Sequence, residues 1–89
     1  MSILANKSKT APTIRATEVR FTDSMVYVTL SDHREIGLPL SLRDLRWLAK
    51  ATPEQRSKWM IGPGGRCVLW EELEDGIEVE HLLKDHLLN

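Results

Sequence analysis

The residues able to do chemistry fall into three groups, and their spacing keeps the groups apart. Five cations, Arg43, Arg46, Lys50, Arg56 and Lys58, crowd the stretch from Leu38 to Gly62, LPLSLRDLRWLAKATPEQRSKWMIG. Held on two short helices they would form one contact surface, because exposed charge steers association with an oppositely charged face. The second group is acidic: Glu72, Glu74 and Asp75 lie in Glu71-Glu72-Leu73-Glu74-Asp75-Gly76. Carboxylates this dense can hold a divalent cation, but the spacing is not that of a calcium loop, so a solvated acidic face is the simpler reading. The third group is the histidines and the single cysteine. His81 and His86 are five apart, not the three or four that place two ligands on one helix face, and His33 is remote. Cys67, in Cys67-Val68-Leu69-Trp70, reads as a small hydrophobe rather than a nucleophile.

Two further chemistries fail on pattern. Gly62-Pro63-Gly64-Gly65-Arg66 lacks the Lys-Ser/Thr ending of a phosphate loop and runs from helix to strand, so no helix N-terminus receives an anion. No serine or cysteine stands in a glycine elbow with ordered partners. The residues therefore assign no catalytic group, no metal ligand and no cofactor, and the expectation is a protein without enzymatic activity.

With 89 residues the chain is one domain, and so short a domain buries only about 60–65% of the surface its unfolded form exposes. A composition of 42% hydrophobic and 28% charged residues is that of a globular chain rather than a disordered one. One cysteine excludes an internal disulfide framework and fits a reducing cytosol. The start, MSILANKSKTAPT, has too short an apolar run for a signal peptide, and nowhere do about 18 apolar residues run together. The expected location is cytoplasmic, with no membrane partner. The net charge of −1 hides an asymmetry: residues 1–70 carry eleven Lys/Arg and six Asp/Glu, whereas residues 71–89 carry one Lys and seven Asp/Glu. That balance is too even for a dedicated DNA binder, but it gives the chain two faces of opposite sign.

The elements that must position these groups are short. Residues 1–12 read as a tail and 13–89 as a single domain. Thr17, Val19 and Phe21 alternate with Glu18 and Arg20, and Val26, Val28 and Leu30 alternate with Met25, Tyr27 and Thr29, two half-buried strands at period two. A third lies around Glu35 to Leu38 and closes at Pro39, giving an antiparallel meander. The turn Ser31-Asp32-His33 puts His33 at positive φ. Ser41 is the expected cap of a helix to Ala49 or Lys50, with Leu42, Leu45, Leu48 and Ala49 as its buried stripe. Thr52-Pro53-Glu54-Gln55 combines a capping box with a proline at the first helical position. The helix it starts should carry Trp59 and Met60 inward and stop at Gly62-Pro63. Residues 66–70 read as a strand covered on both faces. Ile77 and Val79 should anchor a terminal helix with Leu82, Leu83 and Leu87 as its apolar stripe.

The run from about Thr17 to Leu83 resembles the bacterial domain-of-unknown-function family 2442. The likeness lies in Pro39-Leu40-Ser41, then Ala51-Thr52-Pro53-Glu54-Gln55-Arg56 with Trp59 just after, then Trp70 with an acidic stretch, and finally Ile77-Glu78-Val79-Glu80 with Leu82-Leu83. The chain departs from the pattern in its acidic loop, at His33, where the turn usually has glycine, and at His81. The resemblance implies a small α+β domain with no catalytic residues to carry over. It also implies that longer relatives place the domain ahead of a helix-turn-helix, a segment not seen after Leu83. Stand-alone members look like antitoxin-like halves of gene pairs.

The fold expected is α+β, a small antiparallel sheet (the meander plus a later strand) packed on two short helices and a terminal helix. The function expected is a protein-interaction and regulatory module, an antitoxin-like partner of a neighbouring gene's product. Arg43, Arg46, Lys50, Arg56 and Lys58 would form one contact surface, and Glu72, Glu74 and Asp75 another. Complementary faces would also allow a two-fold dimer. The alternative is a nucleic-acid-binding regulator using the basic helix face.

Overall fold

Alternating β-branched and aromatic residues in the first half of the chain, which favour pleated half-buried strands, set the first layer. In a computed structural model that describes residues 13–87, with side chains through Lys84, three strands follow one another: β1 (Ala16–Phe21), β2 (Met25–Leu30) and β3 (Glu35–Pro39). They pair antiparallel in the order β1-β2-β3. The N-terminal residues 1–12, read as a tail, lie outside the described residues. Val19, Val26, Val28 and Leu30 turn inward as the alternation requires. Thr17 does not. The β1–β2 register slips between Ala16 and Glu18, and this bulge brings Ala16 into the core while Thr17 stays exposed. The Thr17 hydroxyl donates to the Thr29 carbonyl at 3.2 Å.

The meander's turn holds His33 at φ 75°, as the sequence leads one to expect. Asp32 supports it: one carboxylate oxygen accepts the Arg34 N–H at 3.1 Å and the other accepts Arg34 Nε–H at 2.7 Å. On the outer face of the sheet the Tyr27 ring needs its neighbour to be Gly37. A Cβ there would stand 2.6 Å from the ring. Arg20 lies over that ring, 4.0 Å from its centroid, and reaches Glu35 with two bonds of 2.7 and 3.0 Å.

After Pro39 the expected single helix is broken. A 3₁₀ turn at Arg43–Leu45 leads into α1 (Arg46–Ala49), and no side chain caps either start, so Ser41 is not the cap. Leu42 keeps extended backbone (φ −61°, ψ 141°), which takes it out of phase with Leu45 and Leu48. The anticipated stripe of four therefore shrinks to Leu45 and Leu48, and Leu42 and Ala49 are exposed.

The capping box is complete. Gln55 N–H donates to Thr52 Oγ1 at 3.0 Å and Thr52 N–H to Gln55 Oε1 at 3.0 Å, opening α2 (Pro53–Arg56). This helix ends four residues in, not at Gly62. Met60 and Ile61 form β4 (Met60–Ile61), paired with Leu69 and Val68 and closed by a Gly62 N–H to Cys67 carbonyl bond of 2.8 Å. Ladder bonds replace helix bonds here, leaving Trp59 half-buried and Met60 43% exposed rather than inward. β5 (Cys67–Trp70) is the centre of a second three-stranded sheet, β4-β5-β6, with β6 (Asp75–Glu78) on its other side. Ile77 thus belongs to a strand, and the terminal helix α3 (Val79–Leu87) begins after it. Of its expected stripe Leu82 is buried and Leu83 half-buried, while the Leu87 side chain lies outside the described residues. The later strands form their own sheet rather than joining the meander, and the architecture is α+β.

Val26, Val28, Leu30, Leu48, Val68 and Trp70 are the most deeply buried side chains, drawn from both sheets and α1. Leu48→Ala should therefore cost about 2–5 kcal/mol in urea unfolding, against under about 0.5 kcal/mol for exposed Leu42→Ala. Thr52→Ala should cost about 1 kcal/mol by removing the cap. The Arg20 hydrogen bond holds the Glu35 carboxyl below its ordinary range. Its contribution is present above that range and lost as the pH falls through the depressed value. Melting temperatures followed into acid should accordingly fall less for Glu35→Gln than for the parent protein.

Candidate functional site

Three of the five cations stand on the helical segment after β3. Arg43 opens the 3₁₀ turn, Arg46 is the first residue of α1 and Lys50 caps its C-terminus, and all three are exposed. None of them makes an ion pair among the described residues. They form one basic ridge.

Arg56 is different. Its guanidinium folds back onto the end of α1, donating from Nε to the Leu48 carbonyl at 3.2 Å and from Nη2 to the Ala49 carbonyl at 3.0 Å. Those carbonyls lie at a helix C-terminus, where a cation is favoured, and the Leu48 carbonyl also accepts the Ala51 N–H at 3.1 Å. The same guanidinium lies 5.7 Å from the Phe21 ring centroid, and the Arg56 carbonyl accepts Trp70 Nε1–H at 2.9 Å. Arg56 is therefore half-buried and structural, not part of the ridge. Lys58 sits 3.8 Å from Glu54 and 3.7 Å from Glu72, two exposed pairs worth little each.

The acidic residues follow β5. Glu72 lies in a 3₁₀ turn (Glu71–Leu73), and Glu74 takes left-handed backbone at φ 55° to send the chain back as β6. Asp75 begins that strand and accepts the Gly76 N–H at 2.8 Å. Among the described residues the basic and acidic sets meet at one ion pair, Lys58 with Glu72. Elsewhere they are separate surfaces.

One apolar concavity has no counterpart in the motifs of the sequence. An open groove of ≈ 430 Å³ runs between the turn after β3 and the edge strand β6. Leu38, Leu42, Leu45, Leu69 and Leu82 line it with apolar surface. Asp44 stands on one rim, and Asp75, Glu78 and His81 on the other. The clue was present in Leu38-Pro39-Leu40-Ser41-Leu42, where three leucines at alternate positions stand ahead of the helical segment and only Leu40 is buried. Cys67 lines this groove and a neighbouring one of ≈ 370 Å³. Among the described residues no group of three or more His, Cys, Asp or Glu is gathered to hold a metal ion, and no helix is long and apolar enough to cross a membrane.

A family model described as protein of unknown function (DUF2442) matches residues 16–86, and the chain belongs to that family. No curated protein and no solved structure matches the chain.

Two arginines close in sequence should behave oppositely. Arg56→Ala should lower stability by about 1.5–3 kcal/mol, since it strips charged donors from two helix-end carbonyls. Arg46→Ala should stay within about 0.5 kcal/mol of the parent. Paired chemical denaturation curves check both.

Proposed function

We propose that this DUF2442 chain is a non-enzymatic protein-interaction module with a regulatory task, the antitoxin-like partner of a protein encoded beside it. One observation carries the reading: Arg43, Arg46 and Lys50 are exposed together without an intramolecular counter-ion among the described residues, although the chain is rich in carboxylates. Charges left unpaired on a small domain serve encounter better than stability, because they raise association rates and discriminate between partners. The acidic turn with Glu72, Glu74 and Asp75 supplies a second surface of opposite sign. The chain acts where it is made, in the cytoplasm. The same ridge also supports a second reading, contact with a nucleic-acid backbone, which depends steeply on salt.

The test is co-purification of the tagged chain with the neighbouring gene's product, for the parent and for Arg43→Glu, Arg46→Glu and Lys50→Glu combined. The parent should capture the product, and the reversed ridge should associate about tenfold or more slowly at low salt. A parent that captures nothing overturns the reading. A mobility shift of duplex DNA at about 50 mM salt, lost with the reversed ridge, would favour the nucleic-acid alternative instead.

A further inference from the structure

We infer that the groove beside β6 takes an extended, cationic and apolar peptide segment of a partner protein by strand addition. This rests on the interaction reading above and says what one of the chain's surfaces recognises.

The backbone supplies the first argument. Val79 N–H donates to the Arg66 carbonyl at 2.9 Å, and the β5–β6 register continues from that pair through Cys67↔Glu78, Val68↔Ile77 and Leu69↔Gly76. Bonded and non-bonded pairs alternate in an antiparallel ladder. The Gly76 carbonyl and the Glu78 N–H therefore turn away from β5, toward the groove, while the Gly76 N–H is already taken by Asp75 Oδ1 at 2.8 Å. Among the described residues no strand pairs with that edge. A free edge is a template for another strand.

The side chains supply the second. Leu42, 43% exposed, faces the groove with Leu38 and Leu45, a wall that suits the apolar side chains of a strand laid along β6. The rims select charge. Among the described residues Asp44, Asp75 and Glu78 border the groove and no Lys or Arg does, so an acidic strand is repelled and a cationic one admitted. Carboxylates on a short edge would by themselves only deter pairing. The apolar wall beside them gives a matching strand something to bury. Among the described residues no edge strand of a second copy is cationic. β1 carries Glu18 and Arg20, β3 carries Glu35, and β4 is uncharged. The cations of its basic ridge, Arg43, Arg46 and Lys50, stand on a helical segment.

The experiment titrates the ¹⁵N-labelled full chain with an acetylated, amidated hexapeptide of alternating lysine and valine. Two controls accompany it, a glutamate–valine hexapeptide and the lysine–valine peptide with alternate amides N-methylated. The lysine–valine peptide should shift the amides of Gly76 and Glu78 and bind at least about tenfold more tightly than either control. Leu42→Ser and Glu78→Lys, both at exposed positions, should each weaken it about tenfold while leaving distant amide signals in place. Equal binding of either control, or shifts confined to Arg43, Arg46 and Lys50, overturns the inference. So does a concentration-dependent increase in mass abolished by Leu42→Ser, which assigns the groove to a second copy, or Overhauser contacts from residues 1–12 to Leu42. Peptide failure with the neighbouring gene's product still captured removes the groove assignment alone. Peptide binding with no capture removes the proposed function alone.

Discussion

Trp70 is the residue on which the two sheets and the helical segment depend. Its indole is 1% exposed, edge-on to Phe21 of β1 at 6.3 Å and to Trp47 of α1 at 5.5 Å. Aromatic pairs in that geometry add attraction beyond the area they bury. A buried indole N–H without a partner would oppose the arrangement, and the Arg56 carbonyl provides the partner. Arg56 in turn grips the last carbonyls of α1. One chain of contacts thus runs from β5 through α2 to α1 and β1. It lets helices of four residues each, far too short to persist alone, hold a definite position.

That arrangement determines which charges reach water. Arg56 is consumed by the scaffold, and Lys58 is drawn toward Glu54 and Glu72. What remains is the ridge of Arg43, Arg46 and Lys50, projecting from a segment whose inward side is Leu45 and Leu48 with half-buried Trp47. The break of the expected helix into a 3₁₀ turn and α1 also explains the groove. Had Leu42 entered a regular helix in phase with Leu45, it would have been buried, and the wall opposite β6 would have been lost. Extended backbone at Leu42 leaves its side chain facing Leu69 and β6 across open space.

Much of this was legible in the residues. Period-two alternation placed Val26, Val28 and Leu30, the Thr52-Pro53-Glu54-Gln55 cap placed α2, and a turn with no glycine placed His33 at positive φ. Each of these signals is local and needs no knowledge of the rest of the chain. The failures share a different origin. The β1 bulge depends on how β2 lies against it, and Met60 and Ile61 are a strand only because β5 offers a ladder. The stripe from Leu42 to Ala49 failed because the segment leaves β3 too abruptly to wind regularly. The groove was invisible for the same reason, since its walls come from residues some thirty positions apart. Of the charged residues, position was readable and employment was not. Nothing local to Arg56 says that its nearest acceptors would be the carbonyls of Leu48 and Ala49.

The charge asymmetry of the chain takes its meaning from the same geometry. A basic first part and an acidic end might have cancelled by folding onto each other, and a two-faced surface would then have been an artefact of counting along the sequence. The acidic residues instead sit in the turn after β5 and along β6, where Glu74 in left-handed backbone and the Asp75 bond to Gly76 hold them. The basic ridge sits on the 3₁₀ turn and α1, and among the described residues no ion pair joins it to the acidic set, Lys58 with its Glu72 contact lying outside it. Ridge and rim therefore offer two surfaces of opposite sign on different elements of the fold. A partner meeting both must present an anionic patch and a cationic strand in fixed relation, which is a stricter requirement than either surface imposes alone.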